Sequence, residues 1–214
     1  MPKQTKHRVH YPEAETKYGW LGMLLDAYFI VDGGIREEIK REEGKRGGPK
    51  VACKKGCSGC CYKQEVPLSE IETLGISWYS CEQLVGELRN NVKQQLLFHH
   101  RAGAQCPFLV CDSCAIYPVR PLACRMFIVI GEASSNGEDP FTSRWHDMLH
   151  LSPSVARKAM EKILPFWNFC SQAEKDAAIE SDFVVKESNK VMSRGDWARL
   201  CRVMSMFEND GNRI

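Results

Sequence analysis

The sequence predicts a mainly α-helical protein: a helical scaffold with irregular cysteine-rich loops and at most one or two short strands. Apolar residues recur at three- and four-residue steps along much of the chain. Nine of the eleven cysteines fall between residues 53 and 124, eight of them in two groups of four. Proline and glycine crowd the stretches that carry them, which opposes regular structure there. With 214 residues, 43% of them apolar, the chain can bury a core without disulfide staples. A single domain over residues 1–214 is expected, with residues 50–130 as its cysteine core and N- and C-terminal helical segments packed around it.

The elements follow in order. From Glu15 to about Lys45 the residues Tyr18, Leu21, Leu24, Leu25, Tyr28, Phe29, Ile35 and Ile39 mark one face of an amphipathic helix. Gly33-Gly34 is the point where this helix is expected to break, because residues without a Cβ make helix costly. Gly44 to Pro49 reads as a linker into the first cysteine group. Ser69-Glu70-Ile71-Glu72 has the form of a capping box, so a helix should start there. Leu84, Leu88, Val92, Leu96 and Leu97 carry the helical stripe to about His100, with an expected break near Gly75. Pro107, Pro118 and Pro121 keep the second cysteine group irregular. Met126 to Ile130 is the one strand signal, ended by Gly131, and Ser134 to Pro140 is an exposed loop. Ser152-Pro153 suits a cap followed by proline in the first turn of a helix running to Pro165. Further helices are expected near Ser171–Asp182 and Asp196–Phe207.

The cysteines are arranged as Cys53-x3-Cys57-x2-Cys60-Cys61 and Cys106-x4-Cys111-x2-Cys114-x9-Cys124. A pair separated by two residues wraps one turn of backbone around an ion, directing both sulfurs inward, and Cys57/Cys60 and Cys111/Cys114 both have that spacing. In a reducing compartment, thiols gathered in this way are metal ligands rather than disulfide partners. The ligand set read from the sequence is therefore Cys53, Cys57, Cys60, Cys61, Cys106, Cys111, Cys114 and Cys124, holding a zinc ion or an iron-sulfur cluster. Successive side chains of extended backbone point to opposite sides, so Cys60 and Cys61 are expected to diverge and to serve different metals or different corners of one cluster. Lys54, Lys55, Arg120 and Arg125 could offset thiolate charge, or face solvent. Cys81, Cys170 and Cys201 lie in helical patterns beside apolar residues and are read as core.

Other chemistry lacks an anchor. Cys53-x3-Cys57-x2-Cys60 has the spacing of radical S-adenosylmethionine enzymes, but Gly59 stands where an aromatic residue is usual and no series of strand-helix units follows. His146 and His150 would share a face of a helix, yet no glutamate follows His146, and the pair is left out of the ligand set. His99-His100 sits at a helix end, where its partners would be terminal carbonyls. There is no GxGxxG, P-loop or GxSxG. The formal charge of +2 and the dispersal of Lys and Arg among acids give no nucleic-acid field. The charged run from Arg36 to Lys50 reads as a solvated helix face. The N-terminus lacks an apolar signal core, and no run of about 18 apolar residues occurs, so a cytoplasmic protein without a membrane span is expected.

The same cysteines bring a family with them. Together with Val66-Pro67-Leu68-Ser69-Glu70-Ile71, Cys106-Pro107-Phe108-Leu109 and Cys114-Ala115-Ile116-Tyr117-Pro118-Val119-Arg120-Pro121-Leu122-Ala123-Cys124-Arg125, they closely resemble the YkgJ-like cysteine-cluster family. The resemblance covers about residues 50 to 130 and implies a zinc- or iron-chelating domain. A related cluster occurs in flagellin lysine methylases, which implies iron-sulfur-dependent methyl transfer to a protein lysine as the enzymatic alternative. Metal ions are thus the expected partners, with a protein partner or protein substrate under that alternative.

Overall fold

One long helix is the axis about which the chain folds. The computed structural model describes residues 7–45, 50–53, 57–62, 65–99, 105–135 and 138–211. The short helix α1 (Pro12–Lys17) gives way at Tyr18, whose φ of −122° and ψ of 87° turn the chain into α2 (Gly19–Glu43). Leu21, Leu24, Leu25, Tyr28, Val31, Ile35 and Ile39 form its buried face, the period expected from the sequence. Arg8 holds the preceding segment down by pairing with Glu15 at 2.7 Å and Asp26 at 2.5 Å. On the charged half of α2, Lys40 pairs with Glu37 and Arg41 with Glu38 one turn apart, on a largely solvated face.

The break expected at Gly33-Gly34 does not occur. A Cβ on Gly34 would lie 2.6 Å from Val155 Cγ1 and 2.7 Å from Leu151 Cδ1, so the missing side chain is the space that lets α7 (Pro153–Ile163) lie against α2. Gly75 has the same role. It lies inside α3 (Glu70–Glu82), and a Cβ there would meet Leu24 Cδ2 at 2.5 Å. The interruption falls instead at Gln83–Val85, before α4 (Gly86–Phe98), whose first residue has a φ of +58° that glycine adopts without strain. Burial of apolar surface across these contacts outweighs the helix cost of about 1 kcal/mol per glycine.

The sheets are small. β1 (Pro67–Leu68) pairs antiparallel with β4 (Lys190–Val191), and β2 (Leu109–Val110) with β3 (Ser113–Cys114). The strand expected at Met126–Ile130 is a correction. Met126 ends α5 (Leu122–Met126), and only Val129 and Ile130 form isolated bridges, to Met148 and Val51. The chain is extended there without a continuous ladder, since α5 uses the first residue and Gly131, with φ +80°, turns the chain away.

After α6 (Pro140–Ser143) the chain returns to helix. α7 opens with Pro153 in its first turn, as expected, although the Ser152 hydroxyl bonds Ser154 instead of capping. The expected C-terminal helices are α8 (Gln172–Glu180) and α10 (Trp197–Gly211), and α9 (Phe183–Glu187) between them had no distinct sequence signal. α10 packs on α3 and α4, where the buried Arg89 donates to the carbonyls of Cys81, Leu84 and Met204. One connected cluster of buried apolar residues runs from Leu21 to Met204. Among the described residues no helix is long and apolar enough to cross a membrane. Most of the linker before the first cysteines lies outside the described residues.

The two neighbouring glycines of α2 should respond oppositely to the same change. Gly34→Ala is expected to cost about 1–3 kcal/mol by overpacking the α2–α7 contact. Gly33→Ala, whose Cβ would meet only Arg36 Nη2 at 3.6 Å, should stabilise by about 0.5–1 kcal/mol. Urea denaturation of the two variants checks this, and equal effects would count against close packing at Gly34.

Candidate metal centre

Two irregular segments meet through their backbones. Cys60 and Cys61 of the first group lie in a 3₁₀ turn, Gly59–Tyr62, entered by the bond from Cys61 N–H to Ser58 O at 2.8 Å. Cys106 N–H then donates to Cys61 O at 2.7 Å, joining the two groups directly. Ser58 Oγ donates to Asp112 Oδ1 at 3.1 Å. Gly59 allows the approach of a third segment: a Cβ there would stand 2.3 Å from the Ser134 carbonyl oxygen.

The Cys111-x2-Cys114 spacing is a two-residue hairpin between β2 and β3. Cys111 and Asp112 occupy its corner at φ +47° and +54°, the left-handed conformation that such a turn requires at both positions. Cys111 is exposed, while the other seven predicted ligands are half-buried as whole residues. Cys124 lies on the helix α5, which follows the turn Tyr117–Val119, and Cys106 lies in the loop before β2.

Two polar struts hold α5. Arg125, 3% exposed, donates from Nη1 to Asp32 Oδ2 at 2.7 Å, from Nη2 to Pro118 O at 2.6 Å and from Nε to Arg120 O at 2.9 Å. Its guanidinium carbon lies 3.8 Å from the Tyr28 ring centroid. On the other side Glu72, also buried, accepts from Ser69 N–H at 2.9 Å, Ser69 Oγ at 2.6 Å and Leu122 N–H at 2.7 Å. The carboxylate that caps α3 therefore also fixes the first residue of α5. Both arginines named from the sequence, Arg120 and Arg125, are interior groups. Lys54 and Lys55 lie outside the described residues.

The thiols feel one another. Cys60, from the first group, is electrostatically coupled to Cys106, Cys114 and Cys124, and those three are coupled among themselves. Cys53 hydrogen-bonds Cys57 and is coupled to Cys60, so Cys60 stands between both sets. In the metal-free protein these groups are kept as thiols. Burial pushes Cys53 and Cys114 up to about 11, and it raises Cys106 and Cys124 as well. For Cys60 the first cause is its hydrogen bond to Cys61, followed by burial. The 3₁₀ turn thus keeps these neighbours side by side, where an extended backbone would have sent them apart.

Opposing these upward shifts are groups that favour a thiolate. Val129 N–H donates to Cys53 Sγ at 3.4 Å. The N–H groups of Phe108 and Ile116, each two residues on, point at Cys106 and Cys114, and Arg120 and Arg125 further favour ionised Cys114. As they stand, no three His, Cys, Asp or Glu side chains among the described residues converge closely enough to hold an ion. Metal–sulfur bonds of about 2.3 Å would have to draw them together. The donors fit such a group: soft sulfurs, peptide N–H groups aimed at them and guanidiniums alongside.

Of the cysteines read as core, Cys81 and Cys201 are buried, whereas Cys170 is exposed in the turn before α8, a correction. His146 and His150 do not share a helix face. Trp145–Asp147 is a 3₁₀ turn, and His150 lies against the Trp145 ring at a centroid distance of 4.3 Å. His99 is the buried C-cap of α4, and His100 lies outside the described residues. Asp32 and Met192 carried no sequence signal, and Glu72 was legible only as a cap.

Comparison with known proteins adds one match. Residues 52–144 fit the model of the CxxCxxCC family, described as a "Putative zinc- or iron-chelating domain". No curated protein and no solved structure matches the chain. The matched segment, residues 52–144, contains all eight clustered cysteines and is similar to the CxxCxxCC family over that part of the chain.

Proposed function

We propose that the protein binds zinc or an iron-sulfur cluster through Cys53, Cys57, Cys60, Cys61, Cys106, Cys111, Cys114 and Cys124, in one centre built from both groups. The observation that carries this reading is the Cys106 N–H to Cys61 O bond at 2.7 Å, which joins the two groups through their backbones beside Cys60. Isolated knuckles would have no need of that contact. Four buried thiols, with few polar partners besides one another and peptide N–H groups, are costly to assemble unless an ion replaces their protons. The centre then joins two loops that lack enough apolar residues to order themselves, and residues 1–214 act as one domain around it. Chelation or electron transfer is the role that follows.

Metal content and colour test the proposal. Protein purified anaerobically should carry stoichiometric zinc, or iron with broad visible absorption. Cys60→Ser should lose most of that metal. The triple variant Cys81→Ala/Cys170→Ala/Cys201→Ala should keep it, at a stability cost of about 1 kcal/mol for each of the two buried positions. Metal-free protein, or a Cys60→Ser variant that keeps its metal, would overturn the reading.

The pH dependence of stability has a definite sign. Cys53 and Cys114 stay protonated in the metal-free fold up to about 11, whereas in the unfolded chain thiols ionise near about 8.5. Between these values the unfolded state binds fewer protons, so the metal-free protein loses stability as pH rises. With metal bound, the sulfurs are already thiolates and this loss disappears. Thermal melting from pH 8 to about 11 should fall for reduced metal-free protein and stay flat for the loaded form. Coincident profiles would exclude the cysteines as ligands.

A further inference from the structure

A ninth sulfur stands beside the centre, outside the matched segment. Met192, 1% exposed, lies in the turn after β4, and Cys106 Sγ–H donates to its Sδ at 3.5 Å. The position is held from three directions. Met192 N–H donates to Val66 O at 2.9 Å, its carbonyl accepts from Trp197 Nε1 at 2.7 Å, and the Trp197 ring packs edge-on against Phe108 at 5.1 Å. Phe108 is two residues from Cys106 and supplies the N–H aimed at its sulfur.

We propose that Met192 is a ligand of the metal that Cys106 binds, its thioether joining the thiolates of the shared centre as a neutral donor. This inference rests on the metal reading above and deepens it. Two sulfurs on one tetrahedral ion with bonds of about 2.3 Å stand about 3.8 Å apart, close to the 3.5 Å seen here. A soft cation between the two sulfurs would bond both of them, where a single thiol hydrogen bond joins them now.

Charge favours a neutral donor. The nearby guanidiniums of Arg120 and Arg125 are matched by the carboxylates of Asp32 and Glu72, with Arg125 paired to Asp32 and Glu72 coupled to Cys124. Among these described groups no positive charge is left over to balance the double negative charge of a divalent ion on four thiolates. A thioether carries no charge, so three thiolates with Met192 leave half that imbalance to bury. A thioether also selects for soft ions over magnesium or calcium.

Cobalt(II) titrated anaerobically into the reduced metal-free full-length chain tests the assignment. Met192→Leu preserves volume and removes the sulfur. It should weaken one class of cobalt site by at least about tenfold and shift that site's ligand-field bands to higher energy, with far-UV circular dichroism unchanged. Met192→Cys should restore binding and add thiolate-to-cobalt charge-transfer intensity, and it decides the question if the leucine variant does not fold. Met192→Leu spectra that superpose on wild type, or a cysteine variant without added intensity, would overturn the role of Met192. If Cys106→Ser alters the titration in that case, the metal reading survives. Wild-type protein that takes up no cobalt would overturn both.

Discussion

The buried ion pair of Arg125 with Asp32 is the contact on which the geometry of the centre depends. Asp32 belongs to α2 and Arg125 follows Cys124 in α5, so the pair fastens a ligand-bearing helix of only five residues to the axis of the fold. An isolated helix that short has no stability of its own. Arg125 also collects the carbonyls of Pro118 and Arg120, converting a proline-rich turn into a rigid support. Removing one partner of such a buried pair leaves an uncompensated charge, typically a loss of about 3–5 kcal/mol. Burial lowers the pKa of Arg125 and Asp32 opposes that shift, an electrostatic sign of the same dependence.

Glu72 performs the complementary task on α3. The carboxylate satisfies the Ser69 N–H and hydroxyl with one oxygen and Leu122 N–H with the other. A local helix-start device is thereby also a long-range tie across fifty residues. Arg120 and Arg125 act on Cys114, and Arg120 and Glu72 on Cys124, so charges of both signs lie beside these thiols before either ionises. On the proposed reading a cation would replace protons on thiols that burial holds in the neutral form, which would link loading to pH and to order in the loops.

The departures from sequence expectation share a cause. Gly33-Gly34 and Gly75 look like helix breaks because helix propensity counts only the backbone. In the folded chain, Gly34 and Gly75 are contact points, against Val155 and Leu151 in one case and Leu24 in the other. Met126–Ile130 has β-branched and aromatic character, yet it lies between Val51 and Met148 with single bridges only. Cys170 follows an apolar stretch but falls in an exposed turn. In each case the residue's neighbours in space, far away in sequence, settle the outcome.

By itself the sequence determined the helical class, the buried face of α2, the capping box at Ser69, the proline-led start of α7 and the cysteine-rich segment that matches the family model. Each of these rests on spacing or local backbone chemistry that nearby residues specify. Only the tertiary structure decided that Cys60 stands among Cys106, Cys114 and Cys124, that Cys60 and Cys61 share a 3₁₀ turn, that Glu72 ties α3 to α5, and that Met192 reaches Cys106 from 86 residues away. Those contacts depend on how helices pack around α2. Packing is set by shape and burial summed over the whole chain, and no local window of sequence carries that sum.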